Sequence, residues 1–460
     1  MTGSPIHFLR EVFAESPGSD ALVWRGRSTT YAWLLANLDA WHDRLDAESV
    51  DPGTVVVVRG DFSPTAVALF LALVERGCTI IPLTESVRSQ WEEFEEIAQC
   101  EVVIALDGED GSVHETGRTA DHPHFRRLKD EGHPGLVLFS SGSTGKSKAA
   151  VHDLLGILEK FHVRRHKLRT LAFLLFDHIG GVNTMLYTLS NGGTLVTVDS
   201  RDPDNVLAAI EKHRVDLLPT SPTFINLILL SEAYRRHDLT SLRTVTYGTE
   251  PMPQSTLERF HRLFPGVKLQ QTYGLSEIGI LRSKSKSSDS LWVKLGGEGF
   301  ETRVVDGILQ VKARSAMLGY LNAPDPFTDD GWFVTGDEVE VDGEYFRILG
   351  RKSEIINVGG EKVYPAEVES CLLEMPGVED IAVYGEPNPI TGKVVAARIR
   401  LREPEELRPF RKRMRAFCQG KLQNFKIPVK VELTGDTFHS ERVKKMRPRH
   451  EARGVDTRSE

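Results

Sequence analysis

Residues 138–152, LFSSGSTGKSKAAVH, concentrate groups that bind anions: hydroxyls at Ser140, Ser141, Ser143 and Thr144, and positive charge at Lys146 and Lys148. Gly142 and Gly145 permit a tight turn whose backbone N–H groups face phosphate oxygens. The chemistry this loop serves is nucleoside-phosphate binding. A Walker loop, G-x-x-x-x-G-K-[ST], would end at Gly145-Lys146-Ser147 and needs glycine at 140, where this chain has Ser140. LAFLLFD, ending in Asp177, has the form of a magnesium-binding strand, yet KSKAAVHD after Lys146 reads as extended chain, not as the helix a Walker loop opens.

Four further segments follow in order: QTYGLSE (271–277), GYLNAPDPFTDDGWFVTGD (319–337), ILGRKSEIINVGGEKVYPAEVE (348–369) and ERVKKMRPR (441–449). With SSGSTGKSK ahead of them, the chain resembles the ANL superfamily of adenylate-forming enzymes. That superfamily comprises acyl- and aryl-CoA synthetases, adenylation domains of peptide synthetases and luciferases. The resemblance runs from STTYAWLLANLDAW to the basic tail. It implies an α/β fold: a large N-terminal body of α/β subdomains with a small β-barrel-like part, residues 1–352, then a small mobile α+β C-terminal domain, residues 353–460.

The resemblance also implies roles. Ser141, Gly142, Ser143, Thr144, Gly145 and Lys148 close over the β- and γ-phosphates of ATP. Tyr273 offers a ring to adenine, Thr272 flanks it, and Gly274 allows close backbone approach. Ser276 contacts the α-phosphate, and Glu277 holds Mg2+ with a hard oxygen donor. Gly248, Thr249 and Glu250 of YGTEPMP meet adenine. Asp337 accepts from both ribose hydroxyls, as a carboxylate suits a cis-diol, and Arg351 supplies a second ribose contact. The family's last motif, T-x-x-G-K-I-x-R, reads SERVKKMRPR here. Aligning Ser440 and Arg447 selects Lys444 as the catalytic lysine, whereas aligning Met446 selects Lys445. Either ammonium would bridge the acid carboxylate and the α-phosphate.

Acid recognition falls to FDHIGGVNTM (176–185), Thr223 and Gly248. If His178 takes the place of the histidine of acyl- and aryl-CoA ligases, the substrate is an ordinary carboxylic acid. If Asp177 takes the position used by amino-acid-activating domains, its charge holds a substrate amine. The HIGG string favours the first alignment. At the family's hinge, where Asp or Lys is usual, stands Ser353, while Gly360 matches the glycine lining the thiol tunnel after domain rotation. The implied reaction is acyl- or aryl-adenylate formation with loss of pyrophosphate, then transfer to CoA or to the phosphopantetheine of a carrier protein. Alternatives are activation of an amino acid, or of nitrite for diazotisation of an aromatic amine, with a non-thiol acceptor. A nucleotide-binding protein without turnover is the alternative of another class.

The elements that must position these residues show in the hydrophobic pattern. TVVVVRG, SPTAVALFLALVERG and CTIIPL (54–83) alternate strand, helix and strand, and the rhythm returns over 193–222, as a parallel sheet covered by helices requires. After about residue 285, short strands and the turn signals Asp306-Gly307 and Asp342-Gly343 predict hairpins. The last hundred residues read helix (364–375), strand (380–386), strand (393–401), helix (406–422) and basic tail. A junction near 351–354 fits the change of texture.

A length of 460 residues and 40% hydrophobic content permit a large core, and a net charge of −8 gives no general attraction to nucleic acid or anionic membrane. No apolar run reaches membrane-spanning length and no secretory segment opens the chain, so a cytoplasmic protein with a small-molecule partner is expected. Cys78, Cys100, Cys371 and Cys418 lack metal-ligand spacing. His162 and His166 suggest a basic surface helix rather than a zinc site, and RPFRKRMR (408–415) a solvated helix face.

Overall fold

A computed structural model describes residues 3–108, 110–141, 147–436, 438 and 445–446. Two seven-stranded sheets form the N-terminal body. In one, Val55–Arg59 pairs in parallel with Thr79–Leu83 and Val102–Asp107. In the other, Leu217–Thr220, Thr244–Tyr247 and Lys268–Gln271 run parallel in turn.

Between the sheets lies the helix Pro64–Arg76, buried on every side from Pro64 to Val74. Its composition follows from that position: a helix apolar all round must be enclosed. Ser63 caps its first turn by accepting from Ala66 N–H, Pro64 pre-sets the backbone, and Gly77 ends it in the left-handed conformation. The helix Ile179–Ser190 joins it in the same core through Val182, Met185 and Leu189.

A six-stranded antiparallel sheet follows, in the order Arg282–Ser285, Trp292–Gly296, Tyr345–Arg351, Phe333–Asp342, Ile308–Ala313, Phe300–Val305. Asp306 and Gly307 turn its outer hairpin, both at positive φ, as the sequence predicts. The strand Tyr345–Arg351 ends at the turn Lys352–Glu354, beyond which a separate core forms. There Val378–Asn388 and Gly392–Leu401 make a long hairpin against the helices Pro365–Leu373 and Leu407–Cys418. A parallel strand, Lys430–Leu433, was not anticipated from the sequence.

Two expectations are corrected. The helix predicted over 406–422 stops at Cys418, with Gly420 at positive φ beyond it. His162 and His166 share no helix: the Glu159–Phe161 turn ends before them, and the His162 ring lies 4.1 Å from that of Phe8. The solvated-face reading of 408–415 agrees with the structure, since the helix turns Phe410, Met414 and Cys418 inward while Arg413 bonds Glu405 and Pro376 O. All four cysteines are free thiols.

Candidate active site

The phosphate loop joins two antiparallel strands, Gly135–Ser141 and Ser147–Asp153, with Ser140 opposite Lys148 and Ser141 opposite Ser147. A strand where a Walker loop opens a helix removes that reading. Gly142, Ser143, Thr144 and Gly145 lie outside the described residues. Lys148 holds its ammonium 5.1 Å above the ring of Tyr320, and the Tyr320 hydroxyl donates to Glu277 Oε1 at 2.7 Å. Asn322 braces the same strand, accepting from Ala149 N–H and donating to Ser147 O. A cation and a carboxylate are thus set on either side of one phenol.

Glu277 and Ser276 sit at the turn of a short hairpin, Gly274–Leu275 with Gly279–Ile280. A side chain at Gly274 would come within 2.6 Å of Gly279 O, so glycine here serves the closure of the hairpin itself. The fully buried His152 anchors the turn from below, its Nε2 2.6 Å from Ser276 O. Burial depresses the His152 pKa, so the neutral ring donates this bond from Nε2.

Asp337, the residue expected at ribose, lies on the strand Phe333–Asp342. Its Oδ2 accepts from the Tyr273 hydroxyl at 2.6 Å, and its Oδ1 meets Arg351 Nε at 2.9 Å. Burial pushes the Asp337 carboxyl upward against the pull of the Arg351 guanidinium and the Tyr273 hydroxyl. Each carboxylate oxygen has a second lone pair, so the anchored group still has acceptor capacity for a diol. Tyr273 is only 7% exposed, and its ring packs in the core of the antiparallel sheet. Burial and the neighbouring Asp337 hold its hydroxyl in the protonated, donating form.

Gly248 and Thr249 form the next wall. A side chain at Gly248 would lie 2.7 Å from Thr272 Oγ1, and Thr249 adopts φ +73°. The Glu250 carboxylate is engaged at both oxygens: Oε1 accepts from Thr223 N–H at 2.8 Å and Oε2 from Lys445 N–H at 2.9 Å. The Lys445 ammonium points to the C-terminal unit, 3.5 Å from Asp380 Oδ1 and 3.9 Å from Glu369 Oε2. Lys444 lies outside the described residues.

On the acid side, His178 caps the helix Ile179–Ser190, its Nδ1 accepting from Gly180 N–H at 3.1 Å, which places the ring proton on Nε2. Asp177 Oδ2 accepts from Thr84 Oγ1 at 2.9 Å, and its charge acts on the half-buried Arg201 together with that of Asp61. Burial pulls the Arg201 pKa down against these two carboxylates. The residues the sequence did not single out, His152, Tyr320, Asn322, Thr84 and Arg201, all support the named ones.

Residues 9–306 match the family described as AMP-binding enzyme, and residues 367–445 its C-terminal domain. Feruloyl-CoA synthases of Amycolatopsis sp and Streptomyces sp are each 27% identical to this chain over 470 residues, covering 91% of it and 92% of their own length. An indoleacetate–CoA ligase of Aromatoleum aromaticum is 28% identical, covering 90% of this chain and 91% of its own. The crystal structure of an anthranilate CoA ligase in complex with anthranoyl-AMP superposes with TM-score 0.81 at 20% identity, covering 96% and 95% of the two chains. The chain belongs to the AMP-binding enzyme family, as an adenylate-forming, AMP-forming ligase of the acyl- and aryl-CoA ligase group. Among the described residues no helix is long and apolar enough to cross a membrane.

Proposed function

We propose that the enzyme activates an aromatic carboxylic acid with ATP and passes the acyl group to the thiol of CoA. The observation that carries this reading is a chain of contacts: Lys148 and Glu277 joined by Tyr320, with Ser276 beside Glu277, and Asp337 held by Tyr273 and Arg351. Three of the relatives, the feruloyl-CoA synthase, the indoleacetate–CoA ligase and the anthranilate CoA ligase, are named for aromatic acids, which supports that choice of substrate class.

In the first step an acid oxygen attacks the α-phosphorus and the bond to the β-phosphate oxygen breaks, releasing pyrophosphate. Lys148 and the loop 142–146 neutralise the leaving charge, Asp337 fixes the ribose, and His178, at the start of the helix Ile179–Ser190, takes part in holding the acid. Glu277 fits Mg2+, because its carboxylate is a hard oxygen donor anchored through only one oxygen to Tyr320; the ion would offset phosphate charge. Lys444 supplies the bridging ammonium, since that of Lys445 is committed to Asp380 and Glu369.

We assign residues 1–352 to the body and 353–460 to the mobile domain. The contact of Lys445 N–H with Glu250, beside the adenine turn, and the bonds between Ser255 and Ser370 fit the adenylating pose. In the second step the thiol sulfur attacks the acyl carbon, AMP leaves, and the thiol proton is released to solvent. The exposed turn at Gly359 and Gly360, both at positive φ, is suited to line the thiol path once the domain turns.

ATP–pyrophosphate exchange with a panel of aromatic, aliphatic and amino acids tests the first step. Mass detection of the acyl-CoA tests the second. Exchange confined to amino acids, or ATP binding without exchange, would overturn the reading.

A further inference from the structure

The buried carboxylate next to Asp337 is held from across the domain junction. Glu338 follows Asp337 on the strand Phe333–Asp342, and as strand neighbours the two side chains serve opposite faces. Glu338 is 9% exposed, and a carboxylate so placed needs partners. Both groups that engage it come from beyond residue 352: the Lys362 ammonium lies 2.6 Å from Oε1, and the Tyr364 hydroxyl bonds the same carboxylate. Among the described residues no other cation pairs with it. Burial and the charge of Glu338 keep the Tyr364 hydroxyl protonated, so it is the donor.

Lys362 stands on the strand Glu361–Val363, which pairs with Ile356–Val358 around the turn Gly359–Gly360. This is the turn suited to line the thiol path. Lys362 faces Asn357 in the same ribbon, two residues from Gly360, so the turn cannot travel without it. A rotation that carries the turn from the flank of Glu338 into the thiol path therefore breaks both bonds to Glu338. The seam beside them is loosely filled: a hollow of about 210 Å³ lies between Pro251 and Gly350 of the body and Tyr364 and Pro365 beyond the junction, and Lys362 itself is exposed. Where close packing is interrupted, polar contacts carry more of the attachment.

Building on the two-step ligase reading and on the division at residue 352, we propose that Glu338 is a positioning residue: its grip on Lys362 and Tyr364 holds the C-terminal domain in the adenylating pose, and the strength of that grip sets how the enzyme divides its time between adenylation and thiol transfer. A contact made in one pose only shifts the balance between two poses by its own free energy, whichever pose is the more populated. The ratio of the two half-reaction rates reads that balance.

The test is single-turnover kinetics of adenylate formation from acid and ATP, and of acyl transfer from preformed acyl-adenylate to CoA, with an acid that supports ATP–pyrophosphate exchange. The proteins are the wild type, Glu338→Gln, Lys362→Met, their double variant and Lys362→Arg. In Glu338→Gln and in Lys362→Met the transfer-to-adenylation ratio is expected to rise by about three- to tenfold, the range for a charged contact between a buried and an exposed partner. The double variant should match the stronger single, because each removes the same contact, and Lys362→Arg should keep the wild-type ratio. An unchanged ratio in Lys362→Met overturns the assignment even if Glu338→Gln fails to fold, since the exposed side chain can be replaced without disturbing a core. Equal slowing of both half-reactions in Glu338→Gln also overturns it, because damage to the neighbouring Asp337 acts on a cleft that both steps share. Effects that add in the double variant overturn the common grip. Failure of every acid to support exchange in the wild type, with ATP bound, or exchange without any acyl-CoA product, instead overturns the two-step reading beneath it.

Discussion

The Tyr273 hydroxyl donates to Asp337 Oδ2 at 2.6 Å, 64 residues away in sequence, while Arg351 holds the other oxygen of the same carboxylate. The pair joins the hairpin that carries Ser276 and Glu277 to the antiparallel sheet that carries Asp337. If Ser276 and Glu277 meet phosphate and Asp337 meets ribose, this bond helps to set the two positions relative to one another. Tyr273→Phe removes that bond but keeps the ring in its core. A hydrogen bond to a charged group contributes about 1.5–3 kcal/mol, so KM for ATP should rise roughly tenfold or more with kcat changed less. Exchange kinetics at varied ATP measure this, and an unchanged KM would show that Arg351 alone orients Asp337.

The two lysines of the tail should separate by their failures. Lys445→Ala removes the cation 3.5 Å from the buried Asp380 carboxylate, a loss on the order of 3–5 kcal/mol when one partner of a buried pair is removed. Thermal melting should fall by many degrees. Lys444→Ala should leave the melt intact and slow adenylation by about 100-fold or more, the scale for removing one preorganised charge at a reacting centre. A normal melt together with lost adenylation in Lys445→Ala would reverse the assignment.

A pH-dependent contribution to stability lies far from the cleft, where Glu75 ties the first helix to the central one. Burial alone would raise its carboxyl; the His42 ring, the Arg10 guanidinium and the Ser4 hydroxyl outweigh it and bring it from 4.5 to about 2. A carboxyl lowered on folding stabilises the protein above its unfolded pKa and loses that contribution as pH falls toward the folded one. Glu75→Gln should thus cost on the order of 2 kcal/mol at pH 7, and the gap to wild type should narrow below about pH 4.5. Urea unfolding of both proteins at pH 7, 5 and 4 measures the gap, which stays constant with pH if the carboxylate charge is not what matters.

What the sequence made legible, and what it hid, follow from the range of the interactions. The hairpin at Asp306-Gly307, the caps of the helix Pro64–Arg76 and the strand after the phosphate loop are local, set by residues a few positions apart. Asp337 and Arg351 could be placed because whole motifs surround them. Tyr320 lay within a motif, but its bond to Glu277 depends on the pairing of Gly319 with Val151, a register no local pattern specifies. His152 reads as one polar residue in an apolar strand, and only the folded chain brings Ser276 O over it. The bond of Tyr273 was hidden for the same reason: its hydroxyl meets Asp337, 64 residues on, and its ring packs in a core assembled by the fold.

Glu250 is where the same consideration yields a prediction about motion. One oxygen accepts from Thr223 N–H in the first turn of the helix Pro222–Ser231, where unpaired N–H groups and the helix dipole favour an anion. The other accepts from Lys445 N–H, so a carboxylate of the body holds the tail segment that carries the lysines. Removing it leaves the Thr223 bond to water but takes away a charge-assisted contact that exists only while the tail is docked. By differential binding, losing about 1.5–3 kcal/mol from one pose lowers its population relative to the other by roughly 10- to 100-fold. Glu250→Ala should therefore slow adenylation in single-turnover experiments while sparing transfer from preformed acyl-adenylate to CoA. Equal slowing of the two half-reactions would make Glu250 a support of the Thr223 turn and nothing more, because a defect in the shared cleft acts on both chemistries, whereas a defect in docking acts on one.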